Sequence, residues 1–508
     1  MATQVDTLVL SKSLALVEKT KRRVAQIDTA AFPTSSSDIA RGLLLAAIES
    51  LGNKAFWQAM NPEALYHALI QIQNLVEAVE TSTSDHISWP LVSYCDHFWK
   101  LLFPKGDVHI FYSVFAEHNY GISSFTQRLR LLLENVLPPA EIDRILGRQY
   151  IYCLQLASLE DENLPLYANI GHEFGHALYW AKEPELFAIF LAECAALIAA
   201  IGSEFAGANA TLNKRRTLRM VWALKSIATE LFCDLVGAMI AGPAFLLSLY
   251  EMGWGTDQNS WSTKLSPKDS NIRAYPSFAF RLGCVKKHMP LVKFTDELRT
   301  KLESLPDTVG DEFQVKLESL SGKIPEELQK KLTSLRDTRK ALNKVGEHVT
   351  GIPDDPTTDH TSVRPIGDGD ANAIQQALEK KLPELRQSME RFVRRCSMET
   401  LSSLQNQPEF AAVSGIQVFE LIRRLDADIL PNIIPDHTDP LLGIPATFAT
   451  ILNASALFRM HVLSTRDGNL GTEEINRLIQ KVERLTAKAF EVSYVQNEFN
   501  AWKPQKPA

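Results

Sequence analysis

One short segment constrains the fold of this 508-residue chain more than any other, because it reads His-Glu-x-x-His at His172, Glu173 and His176. Residues four apart lie on the same face of an α-helix, so the two histidines can bind one metal ion. Glu173 lies about a hundred degrees round the helix from His172 and can reach a water bound to that ion. The pattern predicts a zinc-binding helix in which Glu173 is the catalytic base.

The sequence around this motif favours a helix with two different faces. Leu166, Ile170, Phe174 and Leu178 form an apolar stripe at intervals of four residues, away from the histidines. We expect this stripe to pack into a core while the other face presents the imidazoles. The alternative is a pair of ordinary core or surface histidines that bind no metal.

Catalytic zinc usually has three protein ligands and one open position, so a third ligand is needed. The metzincin extension would place Gly and His three and six residues after His176, but these positions hold Tyr179 and Lys182. The third ligand must therefore come from another part of the chain.

A second motif follows in an apolar stretch between Ile227 and Leu249, where Glu230 and Asp234 are the sole charged residues. They are four residues apart and share a helical face, where burying two like charges is costly unless something compensates them. A divalent cation would offset Glu230, and Asp234 could accept a hydrogen bond from a metal-bound histidine. The alternative is a helix with one wet edge, where both acids meet water or Arg and Lys side chains.

HExxH followed by ExxxD resembles the gluzincin metallopeptidases, the group that includes thermolysin-like enzymes, over about residues 105–290. The resemblance implies one Zn²⁺ ion bound by His172, His176 and Glu230. It also implies hydrolysis of a peptide bond by a metal-activated water, with Glu173 as general base and a peptide or protein as substrate.

Three further residues near the second motif are candidates for the same site. The segment from Tyr275 to Arg281 resembles the His-Pro…Arg segment that follows the third ligand in some related peptidases, with Tyr275 in the place of the histidine. Either residue could stabilise the oxyanion, and the alternative for each is a role at a helix end or turn. Cys233, beside Glu230, could bind metal, but we expect it to be a small core residue.

The pattern of the whole chain predicts a mainly α-helical protein with a small β element, an α+β fold in which helical domains flank a zincin-like catalytic core. The two predicted strands, 108–115 and 149–157, are rich in β-branched and aromatic residues, and the second could border a cleft that binds an extended peptide. Five regions are expected: an N-terminal helical region 1–105, the catalytic core 106–295, a charged helical insertion 296–350, a linker 351–370 and a C-terminal helical region 371–508.

Composition limits the classes of binding partner and the cellular compartment that we expect. The formal net charge of −7 gives no electrostatic attraction to nucleic acid, so no nucleic-acid partner is expected. Six cysteines without a CxxC pair favour a reducing, cytoplasmic location. Leu186–Gly202 and Leu235–Tyr250 are apolar, but we expect buried core helices there and no membrane partner. The rival function is a non-catalytic helical scaffold with a structural or vestigial zinc site.

Overall fold

The computed structural model describes residues 4–53, 56, 61–115, 121–157, 164–205, 210–253, 262–265, 272–288, 297, 368–405, 410, 413–435, 443–465 and 472–502. These residues are mainly helical, with three small sheets, which confirms the predicted mainly α fold with a small β element. The chain divides into two compact units, one of Met1–Ala177 with Ala487–Ala508 and one of Leu178–Thr486.

The five predicted regions stay a prediction. Almost all of the charged insertion 296–350 and of the linker 351–370 lies outside the described residues. The predicted core 106–295 contributes residues to both compact units, because the division between them falls at Ala177.

The first unit combines helices with one three-stranded sheet. Its elements in chain order are α1 (Gln4–Ala25), α2 (Ser35–Leu51), α3 (Pro62–Glu80), α4 (Trp89–Leu102), β1 (Val108–Phe115), β2 (Gly121–Ser124), α5 (Phe125–Leu133), α6 (Pro139–Leu146), β3 (Tyr150–Ala157) and α7 (Leu164–Ala181), whose last turn belongs to the second unit.

Buried aliphatic and aromatic side chains join these helices to the sheet. Helix α3 begins with a proline in its first turn, and the Asn61 side chain accepts hydrogen bonds from the amides of Glu63 and Ala64. The core of the unit contains residues of α2, α3, β1 and α5 that are fully buried, among them Leu44, Leu69, Ile72, Phe111 and Leu129.

The sheet of the first unit has the strand order β1-β3-β2. Central strand β3 pairs parallel with β1 and antiparallel with β2, and Ile122 of β2 lies opposite Leu154. The predicted strands 108–115 and 149–157 are confirmed as β1 and β3, whereas β2 was not predicted. Strand β2 is therefore one of the two outer strands of this sheet, as β1 is the other, and β3 precedes helix α7 in the chain.

The second unit is also mainly helical. Its elements in chain order are α8 (Glu183–Glu204), α9 (Ala210–Ala241), α10 (Pro243–Gly253), β4 (Ser262–Leu265), β5 (Ile272–Tyr275), α11 (Phe278–His288), α12 (Asp368–Lys380), α13 (Leu382–Arg395) with a π-helical turn at Cys396–Thr400, α14 (Ser402–Gln405), α15 (Gly415–Asp426), β6 (Ile433–Pro435), β7 (Gly443–Pro445), α16 (Phe448–Thr465) and α17 (Thr472–Trp502), whose second half belongs to the first unit.

Strand β5 is hydrogen-bonded to the long helix α9 through the side chain of Ser226. The hydroxyl of Ser226 donates to the carbonyl of Ala274 at 2.9 Å and accepts from the amide of the same residue at 3.1 Å. Because α11 follows β5 after two residues, this contact also fixes where α11 begins beside α9.

The two apolar stretches of the sequence differ in burial. Residues 235–249 form the end of α9 and most of α10 and are almost entirely buried, as predicted. Between these helices Gly242 has a φ of +61°, a conformation that favours glycine, and the Asn453 side chain holds the adjoining backbone through Ala241 and Ala244. Helix α8 is long and apolar enough to cross a membrane by length and composition, and 33% of that stretch is buried, so it is less buried than expected.

Candidate metal centre

Helix α7 has the two faces that its sequence predicts. Ile170, Phe174 and Leu178 are buried, and the ring of Phe174 packs edge-on against Trp99 with the ring centroids 5.3 Å apart. The side chain of Leu166 lies outside the described residues. This packing fixes the rotation of α7 and leaves the histidines on the other side of the helix.

The two imidazoles of the motif lie next to each other. His172 is 9% exposed and His176 is half-buried, and their ring centroids are 5.0 Å apart with the ring planes at 84°. One nitrogen of each ring lies within 4.8 Å of a nitrogen of the other, so the two histidines could bind one metal ion together.

The donor set fits zinc. Zinc bonds of 2.0–2.3 Å in a tetrahedral arrangement place neighbouring ligand atoms about 3.5 Å apart, so donors within 4.8 Å need to move little. Imidazole nitrogens are donors that zinc accepts readily.

Cys233, which we expected to be a small core residue, is fully buried. It lies three residues after Glu230 and one before Asp234, so all three side chains project from neighbouring positions of α9. Glu230 as a zinc ligand stays a prediction.

Glu173 lies at the outer strand of the sheet. The amide of Ile122 donates to its carboxylate Oε2 at 3.0 Å, and the side chain is half-buried. The general base predicted from the sequence therefore contacts the main chain of β2, a strand that the sequence did not predict.

The acids of the second motif are held by a buried arginine. Arg281, on α11, donates from Nε and Nη2 to the two oxygens of Asp234 at 2.8 and 2.7 Å. Nη2 also lies 3.9 Å from the carboxylate of Glu230. The Asp234 side chain is fully buried, so the pair is shielded from solvent.

The charge balance around Arg281 keeps it protonated. Burial alone would lower the pKa of its guanidinium, but the charge and hydrogen bonds of Asp234, with the charge of Glu230, raise that pKa above its ordinary value. Two acids on an apolar helix need a compensating positive charge. For Asp234, Arg281 supplies it.

The two residues predicted to stabilise an oxyanion have different surroundings. Tyr275 ends β5, pairs with Ser262 across the two-stranded sheet and is half-buried. Arg281 is buried and already bidentate on Asp234. Their role toward an oxyanion stays a prediction, as does a hydrogen bond from a histidine to Asp234.

Comparison with protein-family models, with curated proteins and with solved structures finds no match to this chain.

Proposed function

We propose that this chain is a zinc-dependent metallopeptidase with a zincin-like catalytic core, in which His172 and His176 hold the metal and Glu173 is the general base. The observation that carries the proposal is the position of Glu173. Glu173 directly follows the candidate ligand His172 in the sequence. Its carboxylate accepts a hydrogen bond from the amide of Ile122, on an outer strand. A base beside a metal-binding group suits hydrolysis by a metal-activated water, and a strand edge can bind an extended peptide.

The chemistry divides between the metal and the side chains. When bound, zinc supplies a Lewis acid that polarises a carbonyl and lowers the pKa of water. Glu173 takes a proton from the attacking water and later delivers it to the leaving amine. The Ile122 amide holds one carboxylate oxygen in place, which reduces the reorganisation that proton transfer requires.

A peptide is the substrate class that best fits the strand edge. Strand β2 is the outer strand of its sheet, and an extended chain can add to such an edge through main-chain hydrogen bonds. A substrate aligned along Ile122 and Ser123 would lie beside the Glu173 carboxylate. Sequence-independent main-chain pairing of this kind suits a peptide or protein better than a small molecule.

The number of donors favours catalysis over a structural zinc site. Structural zinc sites are usually closed by four protein ligands, whereas catalytic sites keep one position open. The proposed ligands are three, His172, His176 and Glu230, which leaves one position open. A fourth protein ligand would close the site and favour the rival scaffold function.

None of the six cysteines, all buried and all within the described ranges, forms a disulfide, which suits the proposed cytoplasmic location.

Substitution of the base tests the proposal. Purified wild type, Glu173→Gln and His176→Ala are compared for zinc content and for cleavage of a library of internally quenched peptides. We expect about one zinc per chain in wild type and Glu173→Gln, loss of zinc in His176→Ala, and a loss of cleavage of about 10²–10⁴-fold in Glu173→Gln.

The matched control is Glu18→Gln, at an exposed glutamate of α1 in the same unit, which should cleave as wild type does. Cleavage by Glu173→Gln at the wild-type rate would overturn the proposal. So would a zinc-loaded wild type that cleaves no peptide of the library, which would favour the scaffold.

A further inference from the structure

We propose that helices α8 and α9 form a face that binds the surface of a membrane containing anionic lipids. This α8–α9 face consists of Phe187 and Leu191 on α8 with Lys214, Leu218 and Trp222 on α9, all in the second compact unit. The sequence predicted a buried core helix at α8 and no membrane partner, but only 33% of the apolar stretch of α8 is buried. An apolar face that the protein leaves so exposed marks a surface that binds another partner.

The two helices present these side chains on one continuous surface. Helices α8 and α9 pack against each other, and the Lys225 ammonium lies 4.7 Å from the ring centroid of Trp222 and 5.5 Å from that of Phe187. A ring of each helix therefore borders the same ammonium. Leu191 is one helical turn beyond Phe187, and Leu218 is one turn before Trp222, so the two leucines continue the same surface.

The large apolar side chains of the face are open to solvent. Leu191 is 41% exposed, Leu218 is 59% exposed and Trp222 is 42% exposed. On α8 the surface continues with exposed alanines, at Ala188, Ala192, Ala195, Ala196 and Ala199. Single exposed apolar residues are ordinary, whereas several of them grouped on two neighbouring helices indicate a binding surface.

The charges of the face match an anionic lipid surface. The charged residue of the apolar stretch of α8, Glu193, accepts hydrogen bonds from Arg391 and Arg395 on α13 at 3.0 and 3.2 Å, so its charge is compensated by that helix. Lys214 is exposed one turn before Leu218 and begins the basic sequence Lys214-Arg215-Arg216. Apolar side chains can enter the boundary between headgroups and acyl chains while a lysine contacts the headgroups.

Trp222 fits the same environment. Its ring is large and apolar and carries one polar N–H, a combination that is enriched where a protein meets the interface of a membrane. The formal net charge of −7 opposes adsorption of the whole chain to an anionic surface, so binding depends on the local charge of this face.

Contacts within the second unit keep α8 on the membrane surface and out of the bilayer core. The helix is long and apolar enough to cross a membrane, but it packs against both α9 and α13. Insertion across the bilayer would separate Glu193 from its two arginines and leave its charge in hydrocarbon, which is costly. A helix with one apolar face and one face bound to protein lies along the interface.

A second copy of the chain is a less favourable partner for this face. Symmetric pairing of two copies places the same surface patch on itself, so the Lys214 side chains of both copies would share one interface. Like charges in one interface repel each other, whereas anionic headgroups attract them.

Flotation with lipid vesicles tests the proposal. Wild type is mixed with vesicles of phosphatidylcholine containing about one third phosphatidylserine, and with vesicles of phosphatidylcholine alone. We expect binding to the anionic vesicles, weaker binding to the neutral ones, and a decrease at high salt because salt screens Lys214.

Two variants assign the binding to this face. Leu191→Gln/Leu218→Gln removes two exposed apolar side chains and should weaken binding to the anionic vesicles by at least about tenfold. Lys214→Gln should weaken it by about fivefold, because a lysine near an anionic surface contributes about that factor. All three side chains are exposed, so both variants should fold, which circular dichroism checks.

The matched controls change the same residue types on the first unit. Leu8→Gln/Leu131→Gln removes two leucines that are 57% and 55% exposed, and Lys12→Gln removes an exposed lysine of α1. Both should bind vesicles as wild type does.

Four outcomes would overturn the proposal. Wild type that floats with neither kind of vesicle has no such face, and equal binding to both kinds excludes recognition of anionic lipid. Binding by Leu191→Gln/Leu218→Gln at the wild-type level would place the membrane contact elsewhere. A dimer seen by analytical ultracentrifugation without vesicles, and dissociated by this double variant, would assign the face to a second copy.

Discussion

The polar face of α7 and the charged cluster of α9 and α11 solve the problem of burying polar groups in different ways. On α9 and α11 the charges form an ion pair, in which Arg281 donates two hydrogen bonds to the fully buried Asp234. On α7 the two imidazoles lie next to each other, with ring centroids 5.0 Å apart, where both could bind one ion. The charge cluster of α9 and α11 needs no ligand, whereas the histidines of α7 would be stabilised by a bound ion. Substitutions in the charge cluster should therefore change mainly the stability of the fold, and substitutions in α7 mainly the binding of metal.

The largest effect is expected from Arg281→Met. It leaves Asp234 as a buried charge without its arginine partner, and removal of one member of such a pair costs about 3–5 kcal/mol in the free energy of unfolding. Urea denaturation followed by circular dichroism measures this cost. The double variant Arg281→Met/Asp234→Leu should recover much of it, because the fully buried charge of Asp234 is then removed as well.

Lys287→Met is the matched control on the same helix. Lys287 pairs with Glu390 at 2.6 Å, but both side chains are exposed, so the change should cost less than about 1 kcal/mol. Equal losses in Arg281→Met and Lys287→Met would remove the distinction between a buried structural pair and an ordinary surface pair.

The sequence predicts α7 better than it predicts the surroundings of the second motif. An apolar stripe and a HExxH spacing are local properties of one helix, and the buried Ile170 and Phe174 confirm the stripe. The partner of Asp234 is 47 residues away in the chain, and the packing of β5 and α11 against α9 brings Arg281 to it. A pairing of that kind depends on tertiary contacts that periodicity does not encode.

Strand β2 was missed because its conformation depends on a partner strand. Four residues with two serines and a glycine, Gly121–Ser124, carry little strand propensity, and they form a strand by pairing with β3.

Removal of zinc should have the next largest effect on the free energy of unfolding, and this effect should require the histidines of α7. An ion that binds the folded state at a free concentration of 100 times its dissociation constant adds about 2.7 kcal/mol to the free energy of unfolding. A chelator should therefore lower the melting temperature of wild type and leave that of His176→Ala unchanged. A chelator effect of wild-type size in His176→Ala would place the ion elsewhere.

A carboxylate-to-amide change compares the two regions with the same chemistry. Glu173→Gln keeps an acceptor for the Ile122 amide and should change the free energy of unfolding by less than about 1 kcal/mol. Asp234→Asn leaves Arg281 buried opposite a neutral amide and should cost several times more. Thermal or urea unfolding of both variants checks this ratio, and a larger loss in Glu173→Gln would reverse the roles assigned to the two regions.

The smallest effect should come from a carboxylate that belongs to neither region. Glu141, on α6, accepts hydrogen bonds from Arg144 and from the Ser50 hydroxyl, which lower the pKa of its side chain from 4.5 to about 2. Because the folded state binds this proton less readily than the unfolded state, the pair stabilises the fold fully above pH 4.5. The contribution declines below that pH and is lost as the pH falls through about 2.

Urea unfolding of wild type and Glu141→Gln between pH 2 and pH 6 measures this contribution as a difference between the two curves. The difference should shrink when salt is raised from about 0.01 M to about 1 M, since the Debye length falls from about 30 Å to about 3 Å around an exposed pair. The cost of Arg281→Met should change far less over the same range, because its pair is buried. Equal salt dependence of the two variants would mean that solvent reaches Asp234. The charge cluster of α9 and α11 would then be screened by salt as much as a surface pair is.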